Sequence, residues 1–402
     1  ARLDQKVVTH KEAAHPEEPD RYGHGCGHNN LGVGAVGAAI MLKEAIAAGE
    51  VKGTVRFYGC PAEETLVGKV FMVRDGAFKD VDCAMTWHSH AYNGAWGACY
   101  TCMNSVKFHF HGIAAHAAGH PFDGRSALDA VELMNVGVQF LREHMSDKAR
   151  VHYAITDAGG CSPNVVQAKA SVLYMVRSNH VAEAVELQKR VDKIAQGAAM
   201  MTETTVKKRF IDGCSNTVPN KVLESLMWEN FNDLGVCHYT EEELKYAKAL
   251  YDSVEMKSAD LPGDAAKDSD EIYEFVDEKS KHGTVPMNEF LVPYLYSEKP
   301  RMGSTDVGDV SWNCPTAQAY VTTWAAGTPG HSWQVVSQGK SGLAHKGLIY
   351  AAKAMAGAAV DMYEDPEIIA KAKAEMEEDL DGETYHCPIP DGCKPRALGM
   401  KM

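Results

Sequence analysis

Between residues 103 and 213 the alternation of strand-like and helix-like segments in this chain changes character, and afterwards it changes back. Ahead of the change, residues 29–50 are small and apolar and read as a close-packing helix. Asn29 or Asn30 is its expected cap, and Gly49 lies near its end. Residues 53–58 (GTVRFY) read as a strand, 68–78 as a short helix and 83–87 as a second, buried strand. That is the spacing of βαβ units, so a mainly parallel sheet flanked by helices is expected. Within the interruption, strands at 105–110, 151–155, 170–176 and 204–210 combine with helices at 125–145 and 183–201. This order describes a compact α+β unit with a four-stranded antiparallel sheet and two helices. The expected fold class is therefore α/β with an inserted α+β domain. Its parts are residues 1–102 and 214–402 for the sheet domain and 103–213 for the insertion.

The remaining segments carry less pattern. Residues 1–22 are polar and read as strandless, 255–283 as a surface excursion, and 377–402 as an irregular tail. Ala1 is not an initiator methionine, so the natural chain is expected to begin earlier. A length of 402 residues suits two domains. The net charge of −14 argues against nucleic acid or an anionic membrane as the main partner, since both need a basic face. No apolar run is read as approaching the roughly 18 residues that span a bilayer. Eleven scattered cysteines suit reduced thiols and a cytoplasmic setting better than a disulfide scaffold.

The chemistry is concentrated in a few positions. Cys26 and His28 sit in a glycine-rich stretch that lets backbone fold tightly round an ion. Alone, such a pair is more often a buried thiol beside a capping histidine. Glu63 and Glu64 follow one expected strand and His88 ends the next, so all three should meet at one rim of the sheet. His331 is presented by a Gly-Pro-Gly turn after another strand-like run. Cys26, His28, Glu64, His88 and His331 make five ligands, more than one tetrahedral zinc needs. Two ions about 3.5–4 Å apart are the implied arrangement. Adjacent residues after a strand diverge, so Glu63 is expected to stay unbound as a general base. A solvated pair of acids is the bland reading of the same two residues. His24 and His90 each lie two residues from a preferred ligand. In the insertion, His116 stands among alanines too small to cover it, and Asn164 and Arg177 flank a strand. A guanidinium there suits bidentate recognition of a carboxylate, although composition alone allows all three to be structural or surface groups.

The strings GHGCGHN, TVRFYGCPAEE, FHFHGIAAHAA, SPNVVQAKASVLYMVRS, GSTDVGDVSW, GTPGHSWQ and YHCPIP run along nearly the whole chain. Together they resemble the amidohydrolase branch of the di-metal aminoacylase and carboxypeptidase clan. The resemblance implies a metal-dependent amidohydrolase with two zinc or manganese ions, held by Cys26, His28, Glu64, His88 and His331. It makes Glu63 the general base and places His116 across a dimer interface, beside the scissile carbonyl. Asn164 and Arg177 would bind the substrate carboxylate. Residues 103–213 would be the dimerisation and lid domain of a homodimer, with a related A subunit as a further partner. The implied substrate is an N-acyl amino acid, p-aminobenzoyl-glutamate above others. The alternatives are a broader acylase, a non-catalytic partner of a two-chain hydrolase, and a structural zinc protein that would unfold on chelation. Further helix and strand segments open the catalytic domain in this family, and their counterparts are expected to be missing from this sequence.

Overall fold

The computed structural model describes residues 6–8, 16–95, 97–255 and 268–395, and for 6–8 and 16–22 the backbone course alone. Strands β1 (Lys6–Val8) and β2 (Pro16–Tyr22) come first, then helix α1 (His28–Ala48), α2 (Gly68–Arg74), β3 (Ala84–His90), β4 (Gly94–Ala95) and β5 (Ala98–Tyr100). The insertion holds β6 (Cys102–His111), α3 (Ala127–Arg142), β7 (Arg150–Asp157), β8 (Lys169–Ser178), α4 (Val181–Met201) and β9 (Thr205–Cys214). After it come α5 (Lys221–Leu234), α6 (Glu241–Asp252), α7 (Asp270–Lys279), β10 (Ser297–Arg301) and α8 (Val307–Ser311). The described chain closes with β11 (Thr316–Thr322), α9 (Trp333–Gln338), α10 (Gly342–Glu364) and α11 (Pro366–Leu380).

Strand β11 is the centre of the first unit. It runs parallel to β3, with Tyr320 opposite His88, and antiparallel to the short β4. All seven of its residues are buried, as befits a strand covered on both faces. Trp87, Ala319 and Val321 form one core with Ala38 and Leu42 of α1, Leu223 and Met227 of α5, and Ala351 and Met355 of α10. Gly34 of α1 lies so close to Trp87 that a Cβ there would fall 2.7 Å from the indole nitrogen. Small residues thus let α1 press onto the sheet. The same residues make α1 long and apolar enough, by length and composition, to cross a bilayer, contrary to the sequence expectation.

The insertion is as expected in kind. Its sheet has the order β7-β8-β6-β9, antiparallel throughout. Alternate residues Val106, Phe108 and Phe110 of β6 and Val172, Tyr174 and Val176 of β8 meet Val131, Met134 and Val138 of α3 and Val191 of α4. Ser126 caps α3 by accepting the Asp129 N–H.

Four local expectations need correcting. Residues 6–8 and 16–22 pair with each other, because an antiparallel ladder satisfies itself without any apolar alternation; residues 1–5 and 9–15 lie outside the described part. Among the described residues, 53–58 pairs with no strand. Instead it lines a cavity of about 590 Å³, across from Cys83, Ala84, Met85 and Thr86. Branched and aromatic residues favour a strand only where a neighbouring strand takes up their hydrogen bonds. The expected excursion at 255–283 includes α7, whose Ile272 and Val276 are one turn apart and buried against Phe290 and Tyr92; residues 256–267 are outside the described part. The tail is helical to Leu380 before it becomes irregular, and Ile389 is buried beside Val70, Met103 and Cys214. Residues 396–402 lie beyond the described part.

One buried acid gives a stability prediction. Burial pushes Glu224 up to about 8, against a hydrogen bond that Tyr294 donates to it at 3.0 Å. Since the native value exceeds the ordinary 4.5, the folded chain holds this proton more tightly than the unfolded chain. The associated stability is complete below about pH 4.5 and is lost as pH rises through 8, at about 1.4 kcal/mol per unit. Glu224→Gln, neutral at all pH, should match wild type in melting temperature at pH 5 and exceed it at pH 9. Parallel melting curves for the two proteins at both values would contradict this.

Candidate metal centre

Cys26, Gly27 and His28 straddle the start of α1. Gly27, not an asparagine, holds the cap position with φ of 85°, and a Cβ there would lie 2.6 Å from that of Ser89. That left-handed residue turns the chain so that Cys26 and His28 share one environment. Strand β3 delivers His88, whose Nε2 stands 3.4 Å from Cys26 Sγ. Its Nδ1 is 2.7 Å from the Ser89 carbonyl. A carbonyl can only accept, so Nδ1 carries a proton, and Nε2 is the nitrogen that would face an ion.

Glu63 and Glu64 lie on a 3₁₀ turn between Ala62 (φ 61°) and Leu66 (φ 55°), two non-glycine residues in the left-handed region. Such strain persists only when surroundings impose it. Here Gly68 follows, and a Cβ on it would sit 1.6 Å from the Pro61 carbonyl oxygen. The turn also undoes the divergence expected of the two acids, because alternation belongs to extended chain and this segment is not extended. His28 Nε2 lies 3.1 Å from Glu63 Oε2 and 3.6 Å from Glu64 Oε1. His331, at φ 59°, donates its backbone N–H to Gly25 at 2.8 Å, which stitches its loop to the glycine-rich stretch. Its Nε2 stands 3.7 Å from Glu64 Oε2.

Three overlapping triads result: Cys26 with His28 and His88, Cys26 with Glu64 and His331, and His28 with Glu63 and Glu64. Within each, one donor atom per residue lies within 4.8 Å of the others. Electrostatics follow from this crowding. Burial raises the Cys26 thiol, but the neighbouring His88, His28 and His331 outweigh it and hold Cys26 at about 4. Burial opposes the charge on His28, yet Cys26 and Glu63 lift it to about 10. Against its own burial, Glu63 is held well below the usual carboxylate range by His28. Thiolate, imidazole and carboxylate in contact make a donor set suited to zinc-like ions, whereas magnesium and calcium prefer oxygen alone.

The two neighbouring histidines do something else. His24 is exposed, and the His90 ring packs 4.1 Å from that of Tyr92 and 4.9 Å from that of Tyr320. On the insertion, Ala117 N–H donates to the Asn164 carbonyl at 3.0 Å, joining the loops of His116 and Asn164. His116 is exposed, and its Nδ1 accepts the N–H groups of Ala118 and Gly119. A neutral ring so engaged presents Nε2–H outward as a donor. Arg177 donates to Ser304 Oγ at 2.6 Å, and the next residue, Thr305, donates to Glu63 Oε1 at 2.9 Å. Sequence reading overlooked Ser304, Thr305, Asp306 and Lys69. The only signal for the first three is the string GSTDVGDVSW, and Lys69 has none, because the Lys69–Asp306 pair spans 237 residues.

A donor cluster of this kind, beside a sheet unit that an α+β insertion interrupts, could hold divalent ions next to a carboxylate. Residues 103–200 match the family model described as a peptidase dimerisation domain. The chain is 45% identical to the B subunit of p-aminobenzoyl-glutamate hydrolase from Escherichia coli, over 94% of this chain and 79% of that one. It belongs to that family of amidohydrolases. The A subunit of the E. coli hydrolase is 29% identical over 49% of this chain, and the match spans about half, 46%, of its length. In fold, the chain resembles an aminobenzoyl-glutamate utilization protein of Klebsiella pneumoniae (TM-score 0.51, 19% identity, 83% of this chain and 67% of that one). It likewise resembles a dinuclear metal binding peptidase of Bacillus subtilis (TM-score 0.51, 15% identity, 90% and 79%).

Proposed function

We propose that this chain hydrolyses the amide bond of an N-acyl amino acid, and that p-aminobenzoyl-glutamate, cleaved to p-aminobenzoate and glutamate, is its substrate. The observation that carries this reading is the set of overlapping triads at Cys26, His28, Glu63, Glu64, His88 and His331. Cys26, His28, Glu64, His88 and His331 would hold two divalent ions, zinc or manganese. Such ions, when bound, lower the pKa of water towards neutrality and polarise a carbonyl. Glu63 takes the proton of the attacking water and returns it to the leaving amine. His116 Nε2–H, reaching over from the second copy of a dimer, donates to the oxyanion as charge develops there. Arg177 grips the free carboxylate of the amino acid from its own chain, and Asn164, which sits with His116 at the far end of β8, joins it from the second copy. Residues 103–213 supply the contact of a homodimer, and the two-part naming of the E. coli relative supports a companion A subunit. Eleven unpaired thiols support a cytoplasmic setting.

The test is a panel of substrates given to metal-loaded protein, with and without its companion. p-Aminobenzoyl-glutamate should be turned over faster than its α-amide. Arg177→Ala should lose roughly 10- to 100-fold in kcat/KM on the free acid, the range for a hydrogen bond to a charged group. On the amide it should lose little. Equal losses on both would show that Arg177 does not read the carboxylate.

A further inference from the structure

Four successive residues, Gly303, Ser304, Thr305 and Asp306, are each tied to a different part of the molecule. The Gly303 carbonyl accepts both the backbone N–H and the hydroxyl of Thr101, at 2.9 and 2.8 Å. Ser304 Oγ takes the Arg177 guanidinium at 2.6 Å. Asp306, fully buried, accepts Lys69 Nζ at 2.6 Å and the Lys69 backbone N–H at 2.8 Å, which locks this segment to the first turn of α2. Between these anchors sits Thr305, 8% exposed. Its hydroxyl accepts the Val307 N–H at 3.4 Å and donates to Glu63 Oε1 at 2.9 Å.

The direction of that last bond matters. A carboxylate can only accept, so the hydroxyl proton must point at Oε1. The other oxygen, Oε2, is the one that faces His28. A glutamate on a turn has free rotation at its last torsion, which is broad and roughly two-fold. The two oxygens are equivalent, so what a fixed donor sets is the angle of the carboxylate plane: with one oxygen on the Thr305 hydroxyl, the other is turned to the cluster. We infer that Thr305 is a positioning residue, whose hydroxyl holds the Glu63 carboxylate with Oε2 turned to the cluster. The segment 303–306 is the rigid strap that aims it. The inference rests on the reading of Glu63 as general base and deepens it.

Supporting groups of this kind typically account for 10- to 100-fold in activity. Thr305→Val, the same shape without the hydroxyl, should therefore lower kcat on p-aminobenzoyl-glutamate by roughly 10- to 100-fold. KM and bound zinc should stay within about twofold, a split that general disruption of the site would not give. Thr305→Ser should recover most of the loss. Crystals of zinc-loaded Thr305→Val should show the Glu63 carboxylate rotated or in two conformers. Wild-type kcat in Thr305→Val, or an unmoved carboxylate, overturns the inference, as does a loss that Thr305→Ser fails to recover. Glu63→Gln, run beside them, tests the underlying reading on its own: turnover by that variant removes the base whatever the Thr305 variants do.

Discussion

Glu63→Ala should lower kcat by roughly 10²–10⁴-fold, the range for a positioned general base, while bound metal stays at the wild-type level. The second half of the expectation is the sharper. Glu63 and Glu64 both approach His28, at 3.1 and 3.6 Å, so distance alone does not separate a base from a ligand. Their other partners separate them. Glu64 faces His331 across 3.7 Å and belongs to the triad that also contains Cys26. Glu63 gives one oxygen to Thr305, a neutral donor that competes with no ion for charge. With one oxygen on a hydroxyl, Glu63 would have the other available to take a proton from water once an ion engages His28. Metal analysis beside the rate measurement decides the matter. Inactive protein with full metal supports the base, and inactive protein with half its metal would make Glu63 a ligand and call for another base. The corresponding Glu64→Ala should lose metal first.

What the residues alone disclose is the periodic part of the chain. Val106, Phe108 and Phe110 alternate, Val131, Met134 and Val138 recur at helical spacing, and both patterns survive in the fold because each belongs to one buried face. The candidate cluster was legible because cysteine, histidine and paired acids beside glycine have few uses, although of its members only His88 lies on a strand. What failed was whatever depends on a distant partner. Residues 53–58 have the composition of a strand, yet pairing is a property of two segments and was invisible in one. The 3₁₀ turn at Glu63 follows from Gly68 being small enough to admit the Pro61 carbonyl, a contact no propensity encodes. Ile272 and Val276 were hidden among acids and lysines, where two apolar residues a turn apart are easily passed over. Thr305 was silent for the plainest cause. A threonine is common, and its meaning lies wholly in a partner 242 residues away.

Stripping metal from the protein with a chelator should abolish turnover, and zinc or manganese added back should restore it. The chain should stay folded in between, and this is where the structure speaks against a merely structural site. Small zinc proteins unfold without their ion because the ion replaces a core. Here the cores are elsewhere. Trp87, Val321, Leu223 and Met355 are packed in one, Phe108, Val131 and Tyr174 in the other, and no member of the triads belongs to either. Cys26, His28 and Glu64 are half-buried and His331 is exposed, so their burial stabilises little. Removing the ions leaves a thiolate and carboxylates facing imidazoles that can take up protons in their place, an arrangement the chain tolerates. Far-UV circular dichroism should therefore change little on chelation, with a modest fall in melting temperature from lost binding. Cys26 carries the sharpest version of this expectation, because it is the residue that joins the triad of His88 to that of His331. Cys26→Ser replaces a soft thiolate by a hydroxyl that stays protonated near neutrality, and it should weaken metal binding at both positions together. A titration of the variant with zinc should then show both sites weakened, not one. Loss of a single site would place Cys26 on one ion alone, and full turnover by chelated wild-type protein would end the metal reading.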